Sequence, residues 1–137
     1  MNLQMLNRFL DIPFVDGCES FDGCDCWGLV RLYYQECKGI DLPKYPTCSS
    51  ANLRQVIKLM ETQRMRMNSE WAKVGKQREG NICLMSSKQG KGAGHIGIFI
   101  APQFILHIER GVNTSLTEIT HPAIKDRILE YRSYRGD

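Results

Sequence analysis

Hydrophobic spacing changes period once along this chain, near residue 80, and that switch limits the possible folds more than any other feature. Before it, apolar residues recur at helical spacing. Leu3, Leu6 and Leu10 line one side of residues 2–10, and Trp27, Leu29, Val30, Tyr33 and Tyr34 line one side of residues 26–38. Leu53, Val56, Ile57 and Met60 predict another helix around 50–62, and a short helix is expected near 69–73, holding Trp71. After it come short runs of strand length: Ile82–Met85, Ile96–Ile100, Phe104–Ile108 and Arg127–Tyr134. Helices first and strands afterwards imply an α+β fold, with N-terminal helices packed on a central antiparallel sheet. No repeat or low-complexity linker interrupts the 137 residues, so 1–137 reads as one domain with a single core.

The helix over 26–38 carries the first chemical signal. Gly39 ends it, and Pro43 and Pro46 keep the following connector extended. Ahead of it, Gly17 to Asp25 is rich in turn formers and capping residues, which places Cys26 in the first helical turn. A thiol there faces unpaired backbone N–H groups and the positive end of the helix dipole. Such settings lower a cysteine pKa from about 8.5 toward roughly 3.5–7.5. Cys26 is therefore expected to be a thiolate nucleophile, provided a base lies elsewhere in the chain.

Three histidines are available as that base: His95, His107 and His121. His95 opens one predicted strand and His107 lies in the next, beyond a turn at Ala101-Pro102-Gln103. An odd-numbered hairpin loop centred on Ala101 would set His95 and His107 directly opposite on one face, about 5 Å apart at Cβ. One imidazole would then orient the other, the relation nucleophilic catalysis requires. A histidine at a strand edge also serves as an ordinary structural residue, and an even-numbered loop would break the register. His121, beside Pro122, reads as an exposed loop residue.

Other chemistries are less well served. A net charge of +3 with scattered basic residues gives no nucleic-acid footprint, and Arg64, Arg66, Lys73, Lys76 and Arg78 read as a solvated face. No run approaches the roughly 18 apolar residues of a membrane span. Residues 1–8 lack the charged start and apolar run of a secretory signal, so synthesis and folding in a cytoplasm are expected. Six cysteines (18, 24, 26, 37, 48 and 83) lack paired zinc-knuckle spacing, and no metal or other cofactor is expected. Cys37 and Cys83 read as small core residues.

Taken together these residues resemble the NlpC/p60-type cysteine peptidases, a papain-like family. Asp25-Cys26-Trp27-Gly28-Leu29-Val30 matches the nucleophile helix, Glu79-Gly80-Asn81-Ile82 the first core strand and Gly94-His95-Ile96-Gly97-Ile98 the base strand. His107 falls where the family carries its third polar residue. Trp27, the run Leu29–Tyr34 and Gly39-Ile40-Asp41-Leu42-Pro43 resemble in particular the versions encoded among tailed-phage tail-assembly and tail-tip genes.

The resemblance implies a Cys26–His95–His107 thiol peptidase cleaving peptidoglycan stem peptides between D-γ-glutamyl and a diamino acid. Its partners would be peptidoglycan and other tail-tip proteins, and its location the virion tail after synthesis in the host. Asp25 would contact the free amino end of the stem, with Trp27 and Phe14 also in the substrate cleft. Relatives carry an aromatic hydroxyl and a Gly-Gly pair where this chain has Phe14 and Asp16-Gly17-Cys18. A disulfide from Cys18 or Cys24 to Cys26 would be inhibitory. The alternative role is a tail-tip structural or assembly subunit whose peptidase site is vestigial or occluded. A thiol acyltransferase or an amidase is a third reading, since a fold does not fix the bond attacked.

Overall fold

The computed structural model describes residues 1–42, 70–86, 88 and 93–136. The helix expected at 50–62 and the end of the proline connector lie outside the described residues.

Helix α1 spans Leu3–Phe9 and starts where the Asn2 side chain accepts a hydrogen bond from the Met5 N–H. Helix α2 spans Cys26–Lys38 and stops where Gly39 takes a left-handed conformation at φ 66°. Between them lies a small hairpin, β1 (Glu19–Ser20) with β2 (Gly23–Cys24), inside the stretch that sequence marks only as turn-rich. Phe9 is buried between Phe21 of this hairpin and Tyr33 of α2, at ring-centroid distances of 5.1 and 6.0 Å.

The remaining strands are β3 (Trp71–Val74), β4 (Ile82–Ser86), β5 (Ala93–Ile100), β6 (Phe104–Glu109), β7 (Val112–Glu118) and β8 (Ile128–Tyr134). They form one antiparallel sheet in the order β3-β8-β4-β5-β6-β7. Leu29, Val30, Tyr33 and Tyr34 of α2 pack on Ile82, Leu84, Ile96, Ile98 and Leu106, all buried. Each such aliphatic side chain contributes about 1.5–3 kcal/mol of burial free energy. Cys83, Met85, Phe99, Ile105 and Ile124 form a second, smaller cluster. This is the expected α+β architecture.

One element differs in type. The segment expected as a helix near 69–73 instead supplies β3, whose Trp71 pairs with Tyr134 of β8. Tertiary packing overrides local propensity here: Trp71 is buried, with its ring 4.8 Å from Tyr134 and 5.7 Å from Tyr34. Strand β7 was not anticipated, because Val112-Asn113-Thr114-Ser115 carries little apolar signal. Its place is fixed by hydrogen bonds to β6 and to the arm before α2, where Ile12 N–H donates to Thr114 Oγ1 at 2.7 Å.

Candidate active site

Cys26 is the first residue of α2, and Asp25 is its N-cap. The Asp25 carboxylate accepts from Gly28 N–H at 2.7 Å and from Gly17 N–H at 2.9 Å, so one side chain caps the helix and ties down the preceding loop. The hairpin is held equally close, with Asp25 N–H donating to the Cys18 carbonyl at 3.1 Å. A Cβ on Gly28 would come within 2.1 Å of that same carbonyl oxygen, so glycine is required at this approach.

The histidines are assembled differently. Strands β5 and β6 pair with Ile98 opposite Leu106 and Ile100 opposite Phe104, so the hairpin is centred on Pro102 rather than Ala101. His95 and His107 are therefore diagonal neighbours on one face, not directly opposite. Beyond the last pair, His107 comes beside Gly97. A Cβ on Gly97 would lie 3.1 Å from His107 Cβ, so glycine leaves room for the imidazole. The diagonal still brings the rings together: His95 Nε2 lies 3.0 Å from His107 Nδ1, and both residues are buried. Beyond them His107 Nε2 lies 3.2 Å from Thr117 Oγ1 on β7. When His95 Nε2–H donates to His107 and His107 Nε2–H donates to Thr117, His95 Nδ1 is left as an acceptor.

Two halves thus meet where α2 begins and β5 starts. Backbone N–H groups of Trp27, of Ile96 next to His95, and of Cys26 itself interact with the Cys26 sulfur and favour its thiolate. They do not prevail. Burial, followed by the charge of Asp25, pushes the thiol up to about 12, so the expected resting thiolate is not what the fold provides. The helix dipole contributes only about 0.3–1 kcal/mol at an exposed end. Here the capping carboxylate also neutralises that positive end. Burial brings His95 down to about 3 and also lowers His107, with Glu109 opposing both shifts. Both shifts favour the neutral forms, thiol and imidazole.

The other predicted site residues fall around this centre. Phe14 makes a bridge to Cys24 and lies under the Arg110 guanidinium at 5.2 Å. Trp27 is half-buried, its ring edge-on to Trp71 at 6.2 Å. Cys18, Cys24, Cys26, Cys37 and Cys83 are free thiols. His121 is exposed and accepts from Ala123 N–H at 3.0 Å.

Sequence reasoning missed Glu109 and Arg127. Arg127 donates two hydrogen bonds, each 2.9 Å, to the two oxygens of Glu109, whose carboxylate lies 3.9 Å from His107 Nδ1. The signal for Glu109 was the alternation His107-x-Glu109 on one strand face; nothing local announces Arg127. Donor atoms of His95, His107 and Glu109 all lie within 4.8 Å of one another, a set that could in principle hold a metal ion. With both carboxylate oxygens engaged by Arg127 and the imidazole nitrogens at hydrogen-bond distance, it is better suited to hold a proton than a cation.

A cysteine at a helix start, next to a histidine strand of an antiparallel sheet, is the papain-like arrangement. The NlpC/P60 family profile matches residues 11–133, and the chain belongs to that family. Among solved structures, the NlpC/p60 domain of the peptidoglycan hydrolase SagA superposes with a TM-score of 0.60 at 17% identity, covering 96% of this chain and 94% of that one. A lipoprotein-like NLP/P60 protein from Staphylococcus aureus gives 0.62 at 14% identity, covering 98% of this chain. An NlpC/P60 protein from Bacillus cereus gives 0.63 at 21%, covering 92%. At these identities the likeness is one of fold. The chain spans only 42% and 36% of the last two proteins. No curated protein matches the sequence. Among the described residues no helix is long and apolar enough to cross a membrane.

Proposed function

We propose that the protein is a thiol endopeptidase of peptidoglycan stem peptides, with Cys26 as nucleophile, His95 as base and His107 as orienting partner. The 3.0 Å contact between the two buried imidazoles, in an NlpC/P60 domain with a cysteine at the start of α2, carries this reading. As Cys26 Sγ bonds to the scissile carbonyl carbon, its proton passes to His95 Nδ1. His95 Nε2–H stays on His107, which holds the tautomer. The Cys26 backbone N–H, at the helix start, donates to the oxyanion. The His95 proton then goes to the leaving amine as the C–N bond breaks, and water hydrolyses the thioester. The bond proposed is D-γ-glutamyl to diamino acid, with Asp25, Trp27 and Phe14 bordering the substrate.

The setting we propose is a phage tail tip, where the enzyme reaches the wall with the virion alongside other tail proteins. The resemblance of Trp27–Tyr34 and Gly39–Pro43 to tailed-phage versions supports it. Purified peptidoglycan should release stem fragments, detected by mass, with the wild type and none with Cys26→Ala. Equal products from both would overturn the enzymatic reading. Tails that assemble normally with Cys26→Ala but fail without the protein would add the structural role, and absence from purified virions would remove the tail setting.

A further inference from the structure

The carboxylate beside the histidine pair has no part in the chemistry just described, yet its position is tightly determined. Glu109 ends β6, two residues beyond His107, and is only 16% exposed at its side chain. The Arg127 guanidinium grips both of its oxygens from the 3-10 turn Lys125–Arg127, and donates through Nε to the Ser86 carbonyl at 3.1 Å. Three elements, β4, β6 and the turn before β8, thus fix one negative charge 3.9 Å from His107 Nδ1, the atom that also faces His95. Surface ion pairs contribute little, but a partly buried, bidentate pair is geometrically exact and poorly screened.

We infer that Glu109, held by Arg127, is a positioning residue that sets the charge of the His95–His107 pair and stabilises the imidazolium formed when Cys26 loses its proton. The inference rests on the peptidase reading for its catalytic consequence, though not for its electrostatic one. Burial drives both imidazoles toward neutrality, and Glu109 is the group that opposes it on each. Among the described residues the other charged groups facing the pair are Arg127 and Lys88, and both act against the imidazolium. Arg127 therefore has two opposite effects. Its own charge disfavours protonated histidine, while its fork keeps the nearer carboxylate in place and ionised.

This duality gives a test that a merely structural ion pair would not pass. Histidine titrations followed by NMR on the full chain should show His107 shifted down by about half a unit or more in Glu109→Gln, and less far down in Arg127→Met, where loss of the repelling charge offsets release of the carboxylate. The double variant should lie between wild type and Glu109→Gln, and it also guards against misfolding caused by one unpaired buried charge. On a stem-peptide substrate, Glu109→Gln should lower kcat about tenfold or more with KM within about twofold, and Glu109→Asp should recover part of the loss. Unchanged histidine titration in Glu109→Gln, or a downward shift in Arg127→Met as large as that in Glu109→Gln, would overturn the inference whatever the activity. A wild type inactive on peptidoglycan, with the titrations shifting as described, would remove the peptidase reading and leave the electrostatic role standing.

Discussion

The thiol half of the site and the imidazole half are built by different means. Asp25, Cys26 and Gly28 are neighbours in sequence, and one carboxylate capping one helix places all three. His95, His107, Glu109 and Arg127 span 33 positions and meet only through strand register and a return turn. Burial then acts on both halves in opposite senses, raising the thiol and lowering the imidazole. A local motif can position a nucleophile. In the proposed mechanism it does not activate one, and the proton moves to a partner that the whole fold supplies.

The largest expected effect lies in the chemistry. Cys26→Ala and His95→Ala should each reduce stem-peptide release by about a thousandfold or more, with far-ultraviolet circular dichroism unchanged. A residual rate within tenfold of wild type for either would break the division into nucleophile and base.

Next come the two glycines at which each half is closely packed. Gly28→Ala forces a Cβ to within 2.1 Å of the Cys18 backbone carbonyl, whereas in Gly97→Ala the tightest contact, 2.6 Å, is a side-chain carbon, Ile105 Cγ2. Gly28→Ala should therefore cost about 3 kcal/mol or more and Gly97→Ala about 1–3 kcal/mol, measured by urea unfolding. The reverse order would mean that the imidazole half is the more rigid.

Acid should separate the halves further. His95 falls from 6.5 unfolded to about 3 folded, so the unfolded chain binds more protons across that interval. The stability this group confers is complete above about 6.5 and is lost as pH falls toward 3. Urea midpoints should drop from pH 7 to pH 4, and His95→Gln should flatten the drop; an equal slope in the variant would exclude His95 as its source.

The smallest effect tests the cap. Asp25→Asn keeps an acceptor for Gly28 N–H while removing the negative charge beside the sulfur. The thiol pKa should fall, so iodoacetamide should alkylate Cys26 several-fold faster at about pH 8. Losing the Gly17 contact should cost about 1 kcal/mol. An unchanged alkylation rate would show that burial alone holds the thiol neutral.

Sequence determined what depends on neighbours along the chain. The span of α2, its Gly39 stop, Cys26 in the first turn, the strands after residue 80 other than β7 and the α+β class all follow from period and capping, which act over a few residues. Sequence also put His95 and His107 on one face for an odd-numbered hairpin loop, a condition that the three-residue turn at 101–103 meets. Only the tertiary structure decided the rest. It turned 71–74 into a strand because Trp71 packs against Tyr34 and Tyr134, and it centred the hairpin on Pro102, setting the histidines diagonally. It also set burial against the expected thiolate of Cys26 and brought Arg127 to Glu109. Register, burial and long-range charge depend on which surfaces meet, and no stretch of adjacent residues contains that information.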